Sequence, residues 1–239
     1  MSGVAASIDN LTDSIFATMG NPLHTSLELP QRCLQLIDEL WATVEATEEK
    51  RRPDLGSMTT TFLLAMSMPI INLPIERLVN RSEIGKYADD RHLDKAATEA
   101  IDRIVGGRPL KDAPFYVPNA WSFITSDPDF NIANPMPDAV AAALSSKEAL
   151  LNAKKMPVSE LCSVLRNSMA HGGIAYLDAN GRSTYDRPVA MYAFVSGKFD
   201  DDNVLIGLKI LRIREGDYRK FLSRWAHWLS SLGLLEKAA

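Results

Sequence analysis

Cysteine is scarce in this chain of 239 residues: only Cys33 and Cys162 occur, both inside apolar helical patterns. That excludes a disulfide scaffold and fits a reducing compartment. Each thiol reads as a small buried hydrophobe rather than a nucleophile. Long apolar runs are also missing. No uninterrupted stretch reaches the roughly 18 residues of a membrane span, so none is expected. The first residues lack a basic n-region and include Asp9 and Asp13, which argues against a secretory signal and for a cytoplasmic protein. The patterns G-x-x-x-x-G-K-[ST], G-x-G-x-x-G, H-E-x-x-H, G-x-S-x-G and C-x-x-C are all absent. P-loop hydrolysis, zinc hydrolysis and triad chemistry therefore have no support, and no metal or other cofactor is expected. No internal repeat, heptad run or low-complexity tract occurs.

What is present is a chain able to bury a core, with 46% hydrophobic residues. Its net charge of −4 does not mark a general polyanion binder. The charge is uneven, however. Residues 151–239 hold 13 Lys+Arg against 9 Asp+Glu, leaving 26−13=13 basic and 30−9=21 acidic residues elsewhere. A local phosphate-binding face fits this distribution, and so does an ordinary uneven surface.

Along the chain, residues 1–24 read as an arm with a short helix over Leu11–Met19. Pro30 opens a helix to about Lys50, with Leu34, Ile37, Trp41 and Val44 as its stripe. Residues 58–80 are apolar nearly all round, which assigns them to a core. Pro69 and Pro74 predict a kink or split within them. Glu76 and Arg77 at the end of this stretch are either a polar site or a local ion pair. Asp89–Val105 is amphipathic, with Asp89, Asp90, His92 and Asp94 expected at a solvated start. Residues 108–136, rich in proline and aromatics, predict an ordered loop with one helical turn near Asn119–Thr125. It either stacks bases or caps the core. Asp138–Leu151 reads as a further helix leading to Lys154 and Lys155. After Gly173 the period shortens to two. Ile174–Leu177 and Arg182–Tyr185 predict a hairpin around a type I′ Asn180-Gly181 turn. Pro188–Val195 and Val204–Ile213 predict strands separated by the loop Ser196–Asn203, and a helix from about Asp217 to Leu235 closes the chain. The fold class expected is mainly α: a helical bundle over 25–173 behind an N-terminal arm 1–24. A small C-terminal antiparallel β-sheet and final helix, 174–239, pack on the bundle as one domain.

The stretch around which these elements are organised is residues 157–173. Pro157 suits a first helical position. Val158, Leu161, Cys162, Leu165 and Met169 recur at helical spacing and form one apolar face. Gly172-Gly173 provides the stop. Polar groups gather in the last turns: Arg166, Asn167 and His171. Asn167 and His171, four apart, share a face. Arg166 and His171 diverge by about 140° on an ideal helix. One helix brings them together only loosely, whereas two such helices can converge both pairs on one cleft.

Arg-Asn-x-x-x-His at the end of an apolar helix, followed by Gly, resembles the R-x(4–6)-H motif of the HEPN family. The resemblance is sharp over about 157–173. It implies a HEPN-like helical bundle acting as a homodimer and a metal-independent endoribonuclease, in a toxin or defence setting with an antitoxin partner. Arg166 and His171 would be catalytic and Asn167 supporting. Lys154, Lys155 and Tyr176 are candidates for RNA contact. RNA carries its own nucleophile, the 2′-hydroxyl. His171 suits proton transfer because histidine titrates near physiological pH. Arg166 suits the phosphate because its planar fork stays charged. The products would carry 2′,3′-cyclic phosphate. His171 is followed by Gly-Gly and not by the x-Tyr of one toxin subgroup, and the chain is acidic overall. Both departures keep a non-catalytic RNA- or nucleotide-binding module, or a dimeric interaction module, as the alternative. Retention of both Arg166 and His171 favours cleavage.

Overall fold

The computed structural model describes residues 25–51, 58–79, 90, 95–126, 130–185 and 188–233. The expected arm 1–24 and His92 lie outside them. The described fold is mainly α with one four-stranded antiparallel sheet in the order β1-β4-β3-β2. Its elements are α1 (Thr25–Arg51), α2 (Met58–Ser67), α3 (Lys95–Val105), β1 (Ser122–Ser126), α4 (Asp138–Leu144), α5 (Lys147–Lys155), α6 (Val158–Ala170), β2 (Ile174–Leu177), β3 (Met191–Phe199), β4 (Leu205–Arg214) and α7 (Glu215–Gly233).

The apolar stretch after α2 does not break at its prolines. It widens into two π-helical segments, Met68–Asn72 and Ile75–Val79. Proline cannot donate to the carbonyl four residues earlier. In the first of these segments the Leu73 N–H donates to the Met68 carbonyl five residues back, as in a π turn. Pro74 leaves the Ile70 carbonyl without its usual donor, and the buried Trp225 indole N–H fills that role at 2.9 Å. By length and composition Met58–Val79 is apolar enough to cross a membrane. In this fold Leu63, Ile70, Ile71, Ile75 and Leu78 are buried in the core with residues of α1, α6 and α7.

The sheet separates two cores. Alternation along β3 sends Tyr192 and Phe194 toward the helical bundle. Met191, Ala193 and Val195 face the second core, with Phe130, Met136, Val140 and Leu144. Aromatic packing ties the 108–136 segment to α7: Phe115 lies 4.7 Å from Trp225, and Trp121 lies 5.0 Å from Phe221, centroid to centroid. Phe115, Trp121 and Phe130 are thus buried core caps and not stacking surfaces.

Several expectations need correction. Residues 122–126 form strand β1 and not a helical turn; Ser-Phe-Ile-Thr-Ser gains its partner from β4, with Ser122 opposite Arg212. That long-range pairing leaves no local trace. The Asp138–Leu151 helix is two helices, because Ser146 accepts from the Ala149 N–H and caps a new one. β2 pairs with β3, and only an isolated bridge, Leu177 to Ser183, joins it to the segment after the turn. The turn is not type I′. Among the described residues only Gly181, at φ 77°, is left-handed in it, and the Asp178 carboxylate accepts from the N–H groups of Asn180 and Arg182. Asp90 is not solvated; it is 6% exposed. α1 starts at Thr25, with Pro30 inside it. β3 runs on through Phe199 into the segment expected to be loop.

Candidate functional site

α6 ends two residues before Gly172, as its stop signal predicts. His171 is the C-cap, Gly172 is left-handed at φ 70°, and the Gly173 N–H donates to the Ser168 carbonyl at 2.7 Å. This 6→1 closure is the glycine-dependent end of an α-helix. Gly173 is fixed for a second reason. A Cβ there would lie 2.2 Å from the Val195 carbonyl oxygen. The corner between helix and sheet is therefore pinned within two residues of His171.

Burial divides α6 into two flanks. Val158, Leu161, Cys162, Val164, Leu165, Ser168 and Met169 are buried. Burial pushes the Cys162 thiol up to about 12, so it is an inert core group. The outer strip consists of exposed Ser159, Ser163 and Ala170. Arg166 and Asn167 are half-buried at its borders, and His171 is exposed at its end.

The Arg166 guanidinium is held from two sides. Its Nε donates to Glu76 Oε1 in a very short ion pair, and its Nη1 donates to Asn167 Oδ1 at 2.8 Å. The side chain of Arg166 is 24% exposed and that of Glu76 is 22% exposed. One turn before Glu76, Asn72 Nδ2 donates to the Arg166 carbonyl at 3.4 Å. Its Oδ1 is buried with no hydrogen-bond partner among the described residues.

Asn72 is the member of the site that sequence reasoning missed. Glu76 was singled out with Arg77 as a polar site or a local ion pair, but its pairing with Arg166 was not foreseen. The two residues reach different partners: Arg77 Nη2 meets Asp90 Oδ1 at 2.5 Å. No local spacing links Glu76 to a residue 90 positions later, and Asn72 lies in a stretch that reads as core.

The other predicted residues do not converge. No hydrogen bond or ion pair joins Arg166 to His171 among the described residues. Lys154 and Lys155 end α5, before the start of α6. The length of α6, about 20 Å at the standard rise, separates them from His171. Lys155 instead lines a cavity of about 470 Å³ with Phe123, Asn152, Lys198 and Lys209. Tyr176 is 43% exposed on edge strand β2, opposite Tyr192. No group of three or more His, Cys, Asp and Glu side chains suited to a metal ion occurs among the described residues.

The arrangement thus offers an oriented guanidinium, an amide bonded to it, and a solvent-facing imidazole at a pinned helix end. Comparison of the chain with family models, with curated proteins and with solved structures returned no match.

Proposed function

We propose that the outer flank of α6 is half of an RNA-cleaving site, completed by the same flank of a second copy in a homodimer. The reading stays with the HEPN-like resemblance of 157–173 and extends to a toxin or defence setting. The observation that carries it is the bonded Arg166–Asn167 pair, on the same outward strip that ends in exposed His171. The small side chains of Ser159, Ser163 and Ala170 let a second helix approach that strip closely.

In the proposed reaction His171 takes the proton of a ribose 2′-hydroxyl, and the oxygen attacks the adjacent phosphorus. Arg166 meets the charge that builds on the phosphoryl oxygens. The second copy's imidazole, protonated, gives its proton to the departing 5′-oxygen. A P–O bond forms to the 2′-oxygen and the bond to the 5′-oxygen breaks. The ends left are a 2′,3′-cyclic phosphate and a 5′-hydroxyl.

The test is single-stranded RNA incubated with purified protein in EDTA. Cleavage to cyclic phosphate ends is expected. His171→Ala should lower the rate by about 10²–10⁴ and Arg166→Ala by about 10²–10³. A monomer mass by light scattering at micromolar concentration would sink the composite site. A second reading is a binding module that holds RNA without cutting; what favours it is that no bond joins Arg166 to His171 among the described residues. Wild type that binds RNA but leaves it intact, with binding lost in both variants, would select that reading.

A further inference from the structure

We infer that Glu76 is a positioning residue for Arg166, one that fixes the guanidinium plane and attenuates its hold on RNA phosphate. The inference rests on the RNA-cleavage reading above. Three observations carry it. Glu76 Oε1 accepts from Nε while Asn167 Oδ1 accepts from Nη1, so carboxylate and amide grip two different nitrogens of one rigid plane. An arginine side chain otherwise samples many rotamers, and two contacts on the fork remove that freedom. The same π-widened segment also holds the Arg166 backbone, through Asn72. Residues of one element thus fix both ends of the arginine. Finally, the pair is open to water, with both side chains about a quarter exposed. A phosphate approaching from solvent can therefore reach it.

Two opposite effects follow. Orientation helps the chemical step, because a group misplaced by about 1 Å can cost about 10²-fold in rate. The carboxylate charge hinders ground-state binding, because it competes with phosphate for the same cation. The two are separable by substitution. Glu76→Gln keeps an oxygen that accepts from Nε but removes the charge. Glu76→Ala removes both.

The experiment measures kcat, KM and the Kd for a single-stranded RNA oligonucleotide with wild type and both variants. The expected result for Glu76→Gln is Kd and KM lowered about fivefold with kcat within threefold of wild type, the size expected from an exposed ion pair. Glu76→Ala should show the same tighter binding with kcat lowered about 10²-fold. A merely structural pair would lower the melting temperature of both variants and move neither constant. If wild type cuts RNA and neither variant changes kcat or KM, the positioning role is wrong while the cleavage reading stands. If wild type binds without cutting, tighter binding by Glu76→Gln supports attenuation of the phosphate hold, and unchanged binding overturns it. If wild type neither cuts nor binds RNA, the cleavage reading fails and takes this inference with it.

Discussion

Glu76 and Arg77 are neighbours on one π-helical segment, yet they enter ion pairs of opposite character. Arg77 meets Asp90, which is 6% exposed and also accepts from the Ser26 hydroxyl at 2.5 Å and the Ser26 N–H at 3.3 Å. That cluster is closed. Its carboxylate has three protein donors from two other segments, and the Arg77 Nε is buried with no partner among the described residues. Glu76 meets Arg166 in a contact that water reaches. The comparison teaches that charge pairing alone does not mark a site. The two cations are alike in exposure, Arg77 at 27% and Arg166 at 24%, so the difference lies in the carboxylate. Buried among fixed donors it holds chain segments together, whereas open to water it can yield its cation to an outside anion.

The comparison can be broken most directly at Asp90. Asp90→Ala should cost about 3–5 kcal/mol, because it removes a buried carboxylate that three donors share and leaves them unpaired. Urea unfolding of Asp90→Ala beside Glu76→Ala checks this. Equal losses would erase the distinction. Gly173→Ala comes next, at about 1–3 kcal/mol, because the added Cβ must push back the Val195 carbonyl. A fully stable Gly173→Ala would mean that the corner carrying His171 is not pinned.

The buried flank of α6 should also respond to alkali. Folding raises the Cys162 pKa to about 12 from its ordinary value of 9.0. Below pH 9 both states hold the proton and the full stabilisation is present. Between pH 9 and about 12 the unfolded chain holds fewer protons, so stability falls as pH rises, by about 1.4 kcal/mol per pH unit for one proton. Thermal melts of wild type and Cys162→Ala from pH 8 to 11 should show the shallower slope in the variant. A slope remains there, because burial shifts the Tyr192 and Tyr218 hydroxyls in the same direction. The smallest effect belongs to the open flank. Arg166→Ala should change stability by about 1 kcal/mol or less. A larger loss would recast Arg166 as a structural residue like Arg77.

The motif helix was legible because its signals are local. Pro157, the apolar spacing and Gly172-Gly173 all lie within 17 residues, and the structure gives Val158–Ala170. The switch from helical to alternating period after Gly173 likewise located β2, β3 and β4. What stayed hidden depends on partners far along the chain. β1 exists because β4 pairs with it, Asp90 is buried because Ser26 and Arg77 reach it, and Glu76 faces Arg166 across 90 positions. A sequence shows that Glu76 is acidic. It does not show which cation the fold will bring to it, nor that the helix will run through its two prolines with π segments instead of splitting.

Strand β1 has one more consequence, in time rather than in space. Its partner residues Leu208–Arg212 follow it by 82 to 90 positions. At about 5–20 residues per second of synthesis, the segment Ser122–Ser126 waits roughly 4 to 18 seconds after it is made before β4 exists. Within that interval α6, with Arg166 and His171, is completed in sequence before the sheet that backs it. The helix end that carries the imidazole therefore gains its support only once β3 and β4 have been made, when they form their local hairpin and β1 can join its edge.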